Sequence, residues 1–439
     1  MFSHVHTVLA GCLRARRLAQ VGLLSALMLG VSVQAHAQSH PVSLDESLRL
    51  ALQHSSLTKS SLQSIQASQE AAVRAGELPD PMLMVGVESV PVAGDMRFST
   101  TQDSMTMRRI GIEQQWVSAD KRYARAQRAQ RAVELEKSNH LADLAKVRGE
   151  TAGAWINVYY AQRILDLYRA IESQWSEEVN TLQAVHRGGR TVASDVTQAQ
   201  LALSQAHNAA SNAQQEMVNA RIALMRWTVV PIENVTAESL PIASSQLVGM
   251  PVEELENIHP LLIAARHSVA LADSETTVAT RDRRPDVSFS VAYSQRPSYD
   301  NMISFGITIP LTVNPSRRQD RDIAEKSALA SRARLQYEEV LRDVRRDVKI
   351  LSSMLSNRNE RLKLLRASQL PYARQQVELA TAAYRAGSGI LGDVFAARRS
   401  LLEIKLQIEE LEKEAAMTWA QLEFQVIPQE MISMVRVAQ

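Results

Sequence analysis

An eleven-residue pattern of glycines followed by an Asp-Val pair occurs once in each half of this chain. The two copies, His186–Val196 and Tyr384–Val394, align without a gap. Each follows one long helical pattern and precedes another. Glycine is the residue that most easily takes the left-handed geometry that ends a helix. The sequence therefore predicts two similar halves, each with a tight turn between two long helices.

In each turn the sequence predicts an aspartate that caps the next helix and glycines that form the turn. The aspartates are expected to be N-caps, because an N-cap carboxylate accepts hydrogen bonds from the first-turn amides of the returning helix. These aspartates are Asp195 and Asp393. The glycines expected to form the turns are Gly188, Gly189, Gly387 and Gly389.

The composition favours long helices and excludes several kinds of site. The 439 residues include only 16 glycines and 14 prolines, which is typical of a helix-rich protein. The net charge of +2 gives no basic footprint for nucleic acid. A single cysteine, Cys12, leaves no internal disulfide and no cysteine-based metal or redox site. No phosphate-binding loop, nucleophile elbow or pair of catalytic acids is found, so we expect neither enzymatic activity nor a cofactor.

Residues 1–37 have the three parts of a secretory signal peptide. An arginine cluster precedes an apolar run from 21 to 33, and Ala35 and Ala37 form a small-x-small cleavage site. The run is too short to span a bilayer. The residues before Cys12 resemble a lipobox, but no Lys or Arg precedes them, so we expect export without acylation.

In the first half the spacing of apolar residues changes from a helical period to the two-residue period of a strand, and then returns to a helical period. Ser43–Glu46 has capping-box spacing and is expected to start a helix that ends at Pro79-Asp80-Pro81. Strands are predicted at about 82–90 and 105–117, forming a hairpin with one apolar and one polar face. A proline-free helical pattern then runs from about 119 to 185, which is on the order of 100 Å of helix.

The second half repeats this order. Strands are predicted at about 287–295 and 302–313, and the following long helix is expected to be broken or kinked at Pro371. The predicted divisions are a signal peptide (1–37), a first repeat (38–228), a linker (229–255), a second repeat (256–427) and a C-terminal tail (428–439).

The hairpins indicate a membrane protein. A two-stranded hairpin is not stable alone, and alternating strands with an outward apolar face in an exported protein are typical of a transmembrane β-barrel. Four strands cannot close a useful barrel, so several chains are expected to contribute four each. The long helices would then continue the barrel as a packed tube.

The duplicated order of elements, together with Tyr384, Gly387, Asp393 and Val394, resembles the TolC-like outer membrane factor family. The resemblance implies a mainly α fold with membrane β: a homotrimer whose 12-stranded outer-membrane barrel is continued by a periplasmic α-helical tunnel. It also implies a location in outer-membrane lipid that extends into the periplasm. The implied partners are a periplasmic adaptor (membrane fusion) protein and an inner-membrane transporter of the RND (resistance-nodulation-division) class.

Within that family, residues 78–83 and 105–114 are similar to the heavy-metal branch, which is CusC/CzcC-like. This similarity implies export of heavy-metal cations, either Cu/Ag or Co/Zn/Cd, by a tripartite RND-type system. A duct for drugs, organic compounds or type I secretion stays open in the same fold. A soluble periplasmic coiled-coil adaptor is an alternative of a different class, but it leaves the hairpins unexplained.

The resemblance also assigns residues to the closed periplasmic end. It implies that Asp393 is a pore-facing acid and that Asp195, Tyr384 and Ser388 belong to a network that holds neighbouring coils together. A ring of three carboxylates in a narrow mouth favours cations. The alternative for both aspartates is helix capping alone, and the two roles are compatible.

Four methionines share the predicted polar face of the first hairpin. Thioethers suit Cu(I) or Ag(I), so lumenal metal contact is one hypothesis, and flexible packing is the other. These residues are Met82, Met84, Met105 and Met107. The histidines are scattered without metal-ligand spacing.

Overall fold

The computed structural model describes residues 41–188, 192–236, 240–297 and 299–428. The predicted signal peptide with Cys12, the tip residue Gly189 and the tail from residue 429 lie outside the described residues. Among the helices in the described ranges, none is both long and apolar enough to cross a membrane.

The described part of the first half contains four helices and two strands. In chain order they are α1 (Leu44–His54), α2 (Ser56–Ala75), β1 (Met82–Glu88), β2 (Met107–Trp116), α3 (Ala119–Arg187) and α4 (Ala193–Thr228). The predicted capping box is confirmed at its serine, because the Ser43 hydroxyl accepts a hydrogen bond from the Glu46 amide at 3.1 Å. The first predicted helix is divided at Ser55, whose hydroxyl accepts the Thr58 amide at 3.2 Å and so caps a new helix.

The second half follows the same order with one interruption. Its elements are α5 (Val252–Ile258), α6 (Pro260–Asp282), β3 (Val287–Gln295), β4 (Met302–Thr308), α7 (Gln319–Leu364), α8 (Leu370–Arg385) and α9 (Leu391–Glu423). A short 3₁₀ turn, Pro315–Arg317, precedes α7. A π-turn, Leu365–Gln369, joins α7 to α8 directly before Pro371, so the predicted break at that proline is confirmed.

The two predicted hairpins form one antiparallel sheet of order β1-β2-β3-β4. The join is the pairing of β2 with β3, from Arg108 opposite Gln295 to Trp116 opposite Val287. The strands β1 and β4 are therefore the edges of the sheet. β1 and β4 end at Glu88 and Thr308, which makes them shorter than the predicted strands.

The sheet has one apolar and one polar face, as the alternation predicts. In the register, Leu83 lies opposite Ile112 and Ile112 lies opposite Val291. The apolar face is exposed in the single chain and consists of Leu83, Val85, Val87, Ile110, Ile112, Phe289, Val291, Tyr293, Ile303, Phe305 and Ile307. On the polar face an ion pair joins Arg109 to Glu88 at 2.8 Å.

A buried lysine holds the sheet onto the helices. Lys121, in the first turn of α3, is only 4% exposed, and its Nζ lies 2.7 Å from Asp286 Oδ1, just before β3. The same amine donates to the Arg284 carbonyl. A buried cation must be paired to be tolerated, so this contact fixes the start of β3 relative to the end of β2.

The main apolar core lies in the middle of the long helices. Trp155 of α3 is fully buried, and its Nε1 donates to the Val42 carbonyl at 3.0 Å. Gly153 of α3 faces Met417 of α9, and an added Cβ would lie 3.4 Å from the methionine methyl group. The main core therefore includes the contact of α3 with α9.

Candidate functional site at the helical tips

The second tip turn, between α8 and α9, ends its helix with a Schellman motif. The Ser388 amide donates to the Ala383 carbonyl at 3.0 Å, and the Gly387 amide donates to the Tyr384 carbonyl at 3.0 Å, which are the two hydrogen bonds that define the motif. Gly387 has φ +73°, a conformation that side-chain-bearing residues rarely adopt. The predicted role of Gly387 in the turn is therefore explained by its backbone.

Gly389 is favoured in the same turn because a side chain there would be crowded, and not because of its φ. A Cβ at this position would lie 3.1 Å from the Ala383 Cβ and 3.2 Å from the Tyr384 nitrogen. The Gly389 amide also donates to the Ala383 carbonyl at 3.1 Å. The turn is thus folded back tightly onto the end of α8.

The first tip has the same bounds as the second. The alignment that matches Arg187 with Arg385 also matches the ends of α3 and α8 and the starts of α4 and α9. Gly188 follows α3 with φ −83°, and its amide donates to the Val185 carbonyl at 3.1 Å. The duplication seen in the sequence is therefore also present in the backbone.

The prediction that the two aspartates are N-caps is wrong. The N-caps are Val192 and Ile390, both in extended geometry, and Asp195 and Asp393 occupy the third position of α4 and α9. Each aspartate amide donates to the N-cap carbonyl at 3.2 Å. Helix formation starts earlier because the N-cap requires only an extended backbone, and an acid is equally favourable within the first turn, beside the positive end of the helix.

The remaining predicted tip residues differ in their exposure and in their hydrogen bonds within the chain. The Ser388 hydroxyl donates to the Ala383 carbonyl at 3.2 Å. The Tyr384 ring is 45% exposed, and Asp195 and Asp393 are exposed. The Ser194 hydroxyl donates to Asp195 at 3.4 Å. The Tyr384 and Asp393 side chains therefore face outward from the single chain.

Sequence reasoning missed an ion pair that joins the two coils behind the tips. Glu178 of α3 pairs with Arg399 of α9, and both side chains are largely buried. Burial raises the pKa of Glu178, and the arginine opposes that shift. The guanidinium also lies over the Trp175 ring, 3.9 Å from its centre, an arrangement favoured by cation–π attraction. Only the tertiary packing of α3 against α9 makes these residues neighbours.

The methionines of the sheet do not converge. Met84 lies opposite Gly111, whereas Met107 lies opposite Glu88, so Met107 is about 13 Å along the strand from Met84. Met105 lies in a turn before β2 rather than in the strand. Within the described residues, no group of three or more His, Cys, Asp or Glu side chains is arranged to hold a metal ion.

Comparison with known proteins identifies the fold. A family model described as outer membrane efflux protein matches residues 251–425. The cobalt-zinc-cadmium resistance protein CzcC of Cupriavidus metallidurans is 24% identical over 373 residues, which cover 84% of this chain and 85% of the relative.

Solved structures match over most of both chains. A membrane protein from Pseudomonas aeruginosa has a TM-score of 0.75 at 16% identity and covers 88% of this chain and 91% of its own. For CusC the TM-score is 0.72 at 15% identity, with 90% and 95% covered. For VceC of Vibrio cholerae it is 0.69 at 17% identity, with 87% and 96% covered. The family-model match over residues 251–425, the CzcC relative and the shared fold all support the resemblance to the TolC-like outer membrane efflux family that the sequence motifs indicated.

Proposed function

We propose that this chain is the outer-membrane channel of a tripartite RND-type efflux system that exports heavy-metal cations. The observation that carries the proposal is the four-stranded sheet at one end of long helical columns, with an exposed apolar face. A face of this kind is stable only when lipid or protein covers it. A passive duct needs no catalytic residues, so its properties depend on the side chains that line its lumen and its periplasmic opening.

The assembly that fits the sheet is a homotrimer. The edge strands β1 and β4 run antiparallel in the sheet order, so β4 of one chain can pair with β1 of the next in the same sense as the pairs within a chain. Three chains then give a closed barrel of 12 strands, and closure removes the unpaired edges. The apolar face would contact outer-membrane lipid, and the polar face with Arg109 and Glu88 would line the lumen.

The gate that we propose lies at the tips. Asp393 and Asp195 occupy equivalent exposed positions in the first turn of α9 and α4, and three copies of each would ring the periplasmic mouth. Carboxylates in a narrow mouth attract cations and repel anions. The exposed Tyr384 ring and the Ser388 hydroxyl would contact neighbouring coils. An adaptor protein and an inner-membrane transporter would open and supply the channel.

The proposal of a metal cargo is supported by the CzcC relative, whose name specifies cobalt, zinc and cadmium. The fold is equally compatible with drugs, organic compounds or secreted polypeptides. A soluble periplasmic adaptor accounts for the helical tips but leaves the exposed apolar face without a purpose. Met84 and Met107 lie too far apart along the sheet to share one site, so we propose transit without a resident metal site.

The test is a susceptibility panel on a strain that lacks this gene, with Cu, Ag, Zn, Cd, Co and Ni salts beside dyes and antibiotics. We expect sensitivity to metals alone, restored by the gene on a plasmid. Sensitivity to dyes or antibiotics instead would assign the channel to general efflux. An unchanged panel in a strain without other channels of this fold would contradict an efflux role.

A further inference from the structure

The two repeats differ in how the sheet is joined to the long helix that follows it. In the first repeat only Val117 and Ser118 separate β2 from α3, and Val117 is buried. In the second repeat residues 309–318 separate β4 from α7, and most of them are exposed. The second repeat therefore has an additional segment at this end of the sheet, which the duplication does not explain.

The first part of this segment continues the apolar pattern of β4. Ile309, Leu311 and Val313 keep the alternation of apolar residues that begins at Ile303. In the single chain these three side chains are 53%, 84% and 74% exposed. Apolar side chains exposed to this extent, next to an apolar face that is itself exposed, indicate a surface that lipid or protein covers.

The strand β4 alone is short for a membrane-spanning strand. It has seven residues, whereas a spanning strand takes about 9–11. From Ile303 to Val313 the apolar positions extend over up to about 34 Å of chain, which is about 26 Å of height at a strand tilt of about 40°. The apolar band of an outer-membrane barrel is about 25 Å tall. Residues 309–313 thus have the length that β4 lacks.

Two arginines follow the apolar residues. Arg317 and Arg318 are exposed, and among the described residues neither side chain has an ion-pair or hydrogen-bond partner. The acid nearest to them in sequence, Asp320, pairs with Arg283 at 3.1 Å. Residues 315–322 contain three arginines against two aspartates, so the end of the segment has a positive charge that the chain itself does not neutralise.

A folded turn holds these arginines in place. Asn314 has φ +61°, and the Arg317 amide donates to the Asn314 carbonyl at 3.1 Å. The Arg321 Nε donates to the Ser316 carbonyl at 3.2 Å and so joins the turn to the first turn of α7. Guanidinium groups bind phosphate through two parallel hydrogen bonds. Unpaired arginines that directly follow exposed apolar residues are therefore suited to the phosphate layer of a membrane.

We propose that residues 309–318 form a binding site for anionic phospholipid at the periplasmic surface of the outer membrane. Ile309, Leu311 and Val313 lie in the hydrocarbon, and Arg317 and Arg318 bind the phosphate of a headgroup of the phosphatidylglycerol class. This inference rests on the proposed membrane-spanning sheet. Charge complementarity selects the lipid, because two unpaired cations favour a headgroup with a net negative charge over a zwitterionic one.

The test is native mass spectrometry of the full-length protein, purified in detergent and incubated with equal amounts of phosphatidylglycerol and phosphatidylethanolamine that have the same acyl chains. The measured quantity is the ratio of the two lipids that the protein retains. The test variant is Arg317→Gln/Arg318→Gln, and Arg317→Lys/Arg318→Lys keeps the charge. The matched control is Arg345→Gln/Arg361→Gln, which removes two exposed arginines of α7 that lie roughly 40 Å or more along the helix from its start.

We expect the unmodified protein to retain phosphatidylglycerol preferentially and the glutamine variant at 317 and 318 to lower the ratio by at least about fivefold, the contribution of one arginine near an anionic surface. The lysine variant should retain most of the preference, and the control should retain all of it. Equal retention of both lipids by the unmodified protein, or an equal loss in the control, would overturn the site. A weakened SDS-resistant trimer with an unchanged lipid ratio would also overturn it and would assign the arginines to a contact between chains.

Carbonate washing of membranes separates this inference from the proposed function. Unmodified protein that stays in the membrane but retains the two lipids equally would support the channel and contradict the lipid site. Unmodified protein that carbonate releases, but whose preference for phosphatidylglycerol depends on Arg317 and Arg318, would contradict the channel and support lipid binding by the arginines alone.

Discussion

Asp393 has one role in the fold and a second in the proposed channel. Its amide bonds to the N-cap carbonyl of Ile390, and its exposed carboxylate lies in the first turn of α9. The charge stabilises the helix start, and because the side chain is exposed it would also face passing cations in the proposed channel.

Asp393→Asn should lower the cation selectivity of the channel. A carboxylate about 5 Å from a passing ion in water raises the local cation concentration about fourfold and lowers the local anion concentration about fourfold. The variant removes all three carboxylates of the proposed ring, so we expect the cation-to-anion permeability ratio in planar bilayers to fall by at least about tenfold. Glu338→Asn, at an exposed acid of α7 far from the tips, is the control that should leave the ratio unchanged. An unchanged ratio in Asp393→Asn would leave this residue with a role in the helix start alone.

The sequence predicted which residues form the tips but not how each contributes. Gly387 was correctly expected to take left-handed geometry, whereas Gly188 has φ −83° and Gly189 lies outside the described residues. The two N-caps were misplaced by three residues, since apolar N-caps such as Val192 and Ile390 carry no side-chain signal. The Glu178–Arg399 pair could not be predicted, because ion pairs between helices depend on packing that the sequence does not show.

At the scale of elements, the tip turn is the part that depends most on one backbone conformation. Gly387 and Gly249 both have positive φ, +73° and +76°, and both have open space where a Cβ would lie. A valine at either site carries a similar penalty, about 1–2 kcal/mol for left-handed geometry. The two sites differ in place: one forms the tip and the other lies in the segment between the repeats.

Gly387→Val should therefore impair efflux while Gly249→Val does not. We expect the first variant to lose the Schellman hydrogen bonds and to expose the tip to limited proteolysis, with metal resistance falling towards that of the deletion strain. The second variant has the same strain away from the tips and should retain resistance. Equal resistance in both variants would mean that the turn geometry is not needed for coupling to an adaptor.

Helices and strands were predictable in proportion to the length of their patterns. The bounds of α3 agree with the sequence to within about two residues, because an unbroken helical period leaves few alternatives. The joining of the two hairpins into one sheet was not predicted as a pairing, since Trp116 and Val287 are distant in the chain. The Lys121–Asp286 contact, which supports that join, was missed for the same reason.

For the whole molecule, the exposed apolar face of the sheet predicts behaviour in membranes. The protein should remain in the outer-membrane fraction after carbonate washing and migrate as an SDS-resistant trimer at low temperature. Ile112→Lys places a charge on the apolar face, at a cost of about 2–4 kcal/mol per chain if the site lies near the bilayer centre. Glu113→Lys places the same residue on the polar face and is the control.

We expect Ile112→Lys to reduce the amount of membrane-bound trimer strongly and Glu113→Lys to reduce it little. Release of the unmodified protein by carbonate would contradict the channel and favour a peripheral protein. Equal effects of the two lysines would contradict the assignment of the faces, although the register of β1, β2 and β3 would be unaffected.

The interruption before Pro371 makes the two repeats mechanically unequal. A helix that continues without a break, such as α3, is expected to be equally stiff along its whole length. A column that contains a π-turn is expected to bend most easily at that turn. A single proline in the second copy is therefore enough to give two duplicated columns different stiffness.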